Sequence, residues 1–304
     1  MLQTMTQSAE ETESKIVACD RLPSLGSINF ALQNLLGRDD SSVDQIAQSV
    51  SRDPSLTARV LKLTNSPFYG LRNEAQSLDQ AIFYLGVAQI QRLVMASPII
   101  DQFAGVAEGM NFSWKEFWKH SMAVASVSQE LYSFGNMGGG SDQSGYLAGL
   151  VHDVGKIAIA VSMPEEFLSI QRRVAESDRD LREVEQDCLG LDHSQVGALY
   201  FKSQKMPEFL IDSTRYHHCP SEAEENQRLA AVVYIANLAV KGAGIGASGS
   251  VQAVKPNLWR TVEAWKYLSP DSGSKTTQRL LRNIDKLLLK LPELVAEMVS
   301  DRRL

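Results

Sequence analysis

Apolar residues recur at intervals of three and four along most of the chain, and alternating β-branched runs are nearly absent, so the pattern predicts an all-α protein. Leu22, Leu25, Ile28, Leu32, Leu35 and Leu36 form the first run, which Gly37 stops. Ser42 caps a helix carrying Val43, Ile46, Ala47 and Val50. Asp53 and Pro54, an N-cap and a first-turn proline, start another with Leu56, Val60, Leu61 and Leu63, which stops near residues 65–67. Ser77 opens a helix that turns Ala81, Ile82 and Leu85 inward and ends at Gly86, and residues 87–103 form a long apolar helix interrupted by Pro98. The first hundred residues thus read as a stack of helical hairpins.

A second helical region starts at Trp114. Residues 134–144 form a flexible loop between a helix bearing His120 and an apolar helix bearing His152 and Asp153, and further helices are expected at 164–177, 180–189, 194–204, 207–217 and 226–240. The glycine-rich segment 241–251 has GxGxxG-like character, but it follows a helix and precedes no strand, so it is expected to be a loop. Two amphipathic runs follow, Leu280 to Leu288 and Leu291 to Met298. The resulting map has a polar segment at 1–20, frayed or forming a short docking helix, one helical half at 21–105, a second at 113–245, and C-terminal helices at 252–304 packed on that second half.

Composition narrows the function classes. A chain of 304 residues, 44% of them hydrophobic, can bury one large or two ordinary cores. With 36 acidic against 30 basic residues, a net charge of -6 and no long Lys/Arg run, it is not expected to bind nucleic acid. No apolar stretch approaches the roughly twenty residues that cross a bilayer, and the first residues are polar and acidic, so no membrane partner and a cytoplasmic location are expected. Three scattered cysteines, Cys19, Cys188 and Cys219, suit reduced thiols rather than a disulfide framework.

The chemistry gathers in one stretch. All five histidines, His120, His152, His193, His217 and His218, lie between 120 and 218, and His152-Asp153 interrupt the apolar run YLAGLVHDVGKIAIA. An ionised carboxylate buried there needs a cation or a hydrogen-bond partner, and a metal ion is the most economical compensation. Mixed imidazole and carboxylate ligands suit divalent iron, manganese, zinc or nickel. The plainer alternative is that single histidines fill the core and that one ring of His217-His218 is solvated. Trp114 and Trp118 are expected to pack beside His120, while Arg59, Lys62 and Asn65 form either a recognition stripe or a solvated helix face.

The string HDVGK at 152–156 resembles the signature of the HD superfamily, and the order of the histidines resembles its HD-GYP phosphodiesterase branch. LPSL at 22–25, SRDPSLTARVLKLTNSPFYG at 51–70, LDQAIFYLGVAQIQRLV at 78–94, VEQDCLGLDHSQVGALYFKSQKMPEFL and RLAAVVYIANLAV identify residues 20–245 as similar to the HDOD domain family. That resemblance implies an N-terminal stack of short helices packed on an HD-type helical domain, with one or two ions. Asp153, His193, His217 and His218 would hold one ion; His120, His152, Asp153 and Asn237 would frame a weaker neighbour. Asp153 and Lys156 would be the catalytic groups, a water activated between two ions attacking a phosphoester while Lys156 binds a phosphate oxygen. Lys156 is equally readable as a lysine snorkelling to the helix surface.

Two departures bear on activity. Asn237 stands where catalytic relatives carry an aspartate, and an amide is a neutral, weaker ligand. CPSEAEEN after His218 lacks the glycine-tyrosine-proline segment of cyclic di-GMP hydrolysing relatives, which argues against that reaction. The leading expectation is a bacterial signal-transduction module that acts on a separate signalling protein. The alternatives are a metal-dependent phosphohydrolase acting on a nucleotide or other phosphorylated small molecule, and a protein with no metal at all.

Overall fold

Five helices of this protein start where a short polar side chain accepts a free backbone amide. Ser8, Ser77, Ser113, Asp180 and Asp192 do so for the amides of Glu11, Gln80, Glu116, Arg182 and, at Asp192, both Ser194 and Gln195. The computed structural model describes residues 8–25, 54–65, 71, 73–86, 89–90, 92, 99–100, 102–103, 112–134, 142–177, 179–250, 252–268 and 274–299. Among them every regular element is helical: α1 (Ala9–Val17), α2 (Pro54–Thr64), α3 (Leu78–Leu85), α4 (Trp114–Ser133), α5 (Ser144–Val151), α6 (Val154–Ser162), α7 (Pro164–Ala175), α8 (Leu181–Leu189), α9 (His193–Ser203), α10 (Glu208–Tyr216), α11 (Gln227–Gly242) and α12 (Lys275–Val299). Short 3₁₀ turns lie at Pro220–Glu222, Leu258–Arg260 and Glu263–Tyr267. The expected all-α class is what is observed. Among the described residues no single helix is long and apolar enough to cross a membrane.

The second half is organised around α4, which packs on α5, α11 and α12, while α9 packs on α6 and α10. Met122, Leu131, Leu147 and Leu150 lie at this centre with at most 1% exposure, each worth about 1.5–3 kcal/mol by burial. Trp114 and Trp118 are buried beside it. Helix α1 docks on α9, burying Ile16 and placing the Thr12 hydroxyl 2.7 Å from the Leu189 carbonyl, to which it donates.

Two expected elements differ. The apolar run 144–162 is not one helix. It breaks at His152 and Asp153, where the Lys156 amide reaches back only to the Asp153 carbonyl at 3.0 Å, and this releases both side chains from helical spacing. The two C-terminal runs are instead one helix, α12, because the buried positions Leu280, Ile284, Leu291, Leu294 and Val295 stay in helical phase across the exposed Pro292. Asn65 clamps the backbone of Ala75, donating to its carbonyl at 3.0 Å and accepting its amide at 2.6 Å, so in the expected stripe it serves as a helix-end tie while Lys62 is exposed. The runs expected at 28–37 and 42–50, the cap at Asp53, the Arg59 side chain, Pro98 and most of the loop 134–144 lie outside the described residues.

Candidate metal centre

The side chains with metal-ligand chemistry come from five places in the fold. His120 lies in the middle of α4, His152 and Asp153 at the α5–α6 break, His193 at the first position of α9, His217 and His218 just past α10, and Asn237 in α11. All are buried except His218, which is partly exposed. One group comprises Asp153, His193, His217 and His218 and a second His120, His152 and Asp153, with donor atoms within 4.8 Å of one another in each.

Each ring is aimed by a partner behind it. Nδ1 of His152 sits 2.8 Å from the Gly149 carbonyl, Nδ1 of His217 sits 2.7 Å from the Thr214 carbonyl, and Nδ1 of His193 sits 2.6 Å from Oε2 of Glu185. Those oxygens only accept, so Nδ1 carries the proton and Nε2 points inward with its lone pair, the arrangement that orients metal-binding imidazoles. Nε2 of His193 then lies 3.0 Å from Nε2 of His218 and 3.2 Å from Oδ1 of Asp153, and Nε2 of His217 lies 3.6 Å from the same oxygen. An ion ~2.1 Å from each donor would space adjacent donors ~3.0 Å apart at octahedral and ~3.4 Å at tetrahedral angles. The spacing fits. Nε2 of His152, Oδ1 of Asp153 and Nε2 of His217 are buried atoms without a hydrogen-bond partner, as expected of atoms that serve as metal ligands.

Protonation follows from the same packing. Burial pushes His120 and His218 well below the ordinary imidazole range, aided by charge on neighbouring His152 for the first and on His217 and His193 for the second, and burial pushes His217 down to about 3. His193 is different: burial works against its charge, yet the Glu185 carboxylate raises it. Burial alone would raise Asp153, but His152 and Lys156 hold it well below the usual carboxylate range. A centre that draws a proton onto His193 also favours a metal cation.

Lys156 does not reach the surface. Its buried ammonium donates to Oδ2 of Asp153 at 2.7 Å and to the Ser248 carbonyl at 2.9 Å. Ser248 belongs to the glycine-rich segment, which is the expected loop and docks on α4 through the Ala247 amide and the Glu116 carbonyl, 3.1 Å apart. Sequence reasoning missed Glu185, whose carboxylate also accepts the His193 amide at 2.9 Å. Its inward register with Leu181, Val184 and Cys188 on α8 was the available signal. Also missed was Lys241, one turn beyond Asn237, whose amine is pulled down to about 8 by burial and the charge of Lys156.

Asp192 aims the start of α9 and gives a pH prediction. Burial opposes its charge, but His193, the Ser194 hydroxyl, Arg182 and the Gln195 amide hold it far below the usual carboxylate range. A depressed carboxylate contributes stability that is complete above its unfolded pKa of about 4 and is lost as pH falls towards the folded value. Thermal denaturation of Asp192→Asn should therefore show a deficit at pH 7 that shrinks steadily below pH ~4. An equal deficit at pH 7 and pH 3 would refute this assignment.

The HDOD domain model matches residues 22–220, about two thirds of the sequence. The chain belongs to the HDOD domain family. Three solved structures share the fold of this HDOD chain. An HDOD domain protein of unknown function from Geobacter sulfurreducens has a TM-score of 0.80 at 23% identity, covering 96% of this chain and 99% of that one. A protein described as a candidate phosphohydrolase from Shewanella amazonensis SB2B has a TM-score of 0.69 at 24% identity, over 97% and 99%. One described as a candidate signal transduction protein from Marinobacter aquaeolei VT8 has a TM-score of 0.73 at 20% identity, over 97% of this chain and 62% of that one. An uncharacterized protein of Treponema pallidum is 23% identical over 246 residues, and the HDOD chain spans only 46% of its length.

Proposed function

We propose that this HDOD protein is a cytoplasmic signal-transduction module of the bacterial type, in which a divalent transition metal (iron, manganese, zinc or nickel) is a structural or sensory element. One observation carries the regulatory side of the reading: Nε2 of His120 meets the neutral amide oxygen of Asn237 at 3.2 Å, where a hydrolytic centre would want a carboxylate. A bound ion would contribute positive charge and tie together the α5–α6 break, the start of α9 and the end of α10. Loss or exchange of the ion would loosen those three elements together, and a separate signalling protein would read the change. The three cysteines are free, which suits a reducing compartment.

A phosphohydrolase is the second reading, favoured by a cleft of about 300 Å³ that meets the centre at His218 and is walled by Cys219, Tyr234, Val262 and Tyr267. Its size suits a small phosphorylated molecule or nucleotide. The experiment is elemental analysis of protein purified without chelator, followed by hydrolysis assays on p-nitrophenyl phosphate and nucleotides with iron or manganese added. The expected outcome is bound transition metal and no hydrolysis above blank. Hydrolysis by the unmodified protein that disappears in Asp153→Ala would establish the enzyme reading instead.

A further inference from the structure

We infer that the centre holds one divalent ion, bound by Asp153, His193, His217 and His218, and that the neighbouring position between His120 and His152 is closed by Lys156 and Asn237. This rests on the metal-centre reading above and concerns which donors remain available for an ion. At the first position all four donors are open or face only one another: Oδ1 of Asp153 and Nε2 of His217 have no hydrogen-bond partner, and Nε2 of His193 faces Nε2 of His218. Three neutral imidazoles and one carboxylate make a complete set for a divalent transition ion.

The second position is different at each corner. Nε2 of His120 is engaged by Asn237; facing Oδ1 it must carry a proton, and facing a flipped amide nitrogen it would accept one, so neither arrangement leaves a free lone pair. Oδ2 of Asp153, the oxygen left after the first ion takes Oδ1, already accepts from the Lys156 ammonium at 2.7 Å. An ion ~2.1 Å from that oxygen would stand within ~5 Å of a fixed positive charge in a buried setting, where the repulsion is poorly screened. Only Nε2 of His152 remains open, 3.3 Å from Oδ2, and one imidazole does not hold a divalent ion. The ammonium also donates to the Ser248 carbonyl, so swinging aside would cost that bond as well as the one to Asp153. Lys156 therefore acts as a built-in cation, and no water can be shared between two ions.

The test uses Mn²⁺ alone as probe. Full-length protein is loaded with excess Mn²⁺ and desalted, and bound manganese per chain is measured together with its electron paramagnetic resonance spectrum. The expected result is about one ion per chain with the spectrum of an isolated ion. His120→Ala should keep that ion with less than about a threefold change in affinity, whereas His217→Ala should lose it, and Asn237→Asp combined with Lys156→Met should take up a second ion. Two ions in the unmodified protein, an exchange-coupled pair, or loss of the ion in His120→Ala would each overturn the inference and leave the metal-centre reading standing. A folded double variant that still binds one ion would overturn the roles of Lys156 and Asn237. No ion in the unmodified protein would overturn the metal-centre reading and this inference with it. Should Lys156→Met fail to fold, the unmodified protein and His120→Ala decide the matter alone.

Discussion

Asp153→Ala is expected to abolish metal binding and also to destabilise the metal-free protein by about 3–5 kcal/mol, the cost of leaving a buried charge without its partner. The two effects have different origins. Metal binding fails because Asp153 supplies the only anionic donor among the candidate ligands. The stability loss arises because the Lys156 ammonium, 3% exposed, keeps only the Ser248 carbonyl when the carboxylate 2.7 Å away is gone. For a chain of 304 residues that is a fall in melting temperature of about 5–8 °C, measured by thermal denaturation in a chelator. The carboxylate is held well below its ordinary range, so its contribution is complete above pH ~4 and fades as pH falls below that. Adding Lys156→Met replaces the stranded charge with an apolar side chain of similar length, so the double variant should regain most of the stability while remaining metal-free by elemental analysis. A double variant as unstable as Asp153→Ala would show that the carboxylate stabilises the fold by some route other than Lys156.

How far the sequence foretold this molecule depended on whether a feature was local. The helix start at Ser77, the register of α7 to α11 and the loop at 243–250 follow from spacing and turn chemistry within a few residues. The seven candidate ligands were selected from rarity, from a charged pair inside an apolar run and from likeness to a family; the fold brings them together from five elements. What pattern could not supply was the break at His152 and Asp153, because the apolar run continues on both sides and Asp153 meets its partner His193 only across the fold. Nor could it decide between the two readings of Lys156. Snorkelling and phosphate binding both assume a free amine, whereas the amine is enclosed by Asp153 and by a loop carbonyl 92 residues away in sequence. Glu185 was legible in principle, as an acid on the buried stripe of an amphipathic helix, but its role needs His193 opposite it.

Gly155→Ala should show how tightly the centre depends on one backbone contact. A Cβ at this position would fall 1.8 Å from the His193 carbonyl oxygen and 2.7 Å from the Gly197 amide nitrogen, so α6 and α9 would have to move apart. No flexible side chain can yield, because both obstructing atoms are backbone. Overpacking of this kind costs about 1–3 kcal/mol where side chains can adjust and more where they cannot, so a loss of at least ~3 kcal/mol is expected. The centre suffers directly: Asp153 lies two residues before Gly155, His193 carries the obstructing carbonyl, and Oδ1 and Nε2 of those residues are only 3.2 Å apart. A displacement that spoils this pairing should weaken metal binding about 10–100-fold, comparable to loss of an orienting partner. Gly86→Ala is the control. Its φ of 79° and ψ of 157° lie in a region that glycine almost alone adopts, but nothing lies within 4 Å of the added Cβ, so it should cost about 1–3 kcal/mol and leave metal affinity unchanged. Calorimetric titration of both variants with Mn²⁺ separates general destabilisation from damage to the centre. Unchanged affinity in Gly155→Ala would mean that the α6–α9 contact does not set the ligand geometry, since the same methyl group cannot be accommodated there without moving one helix against the other.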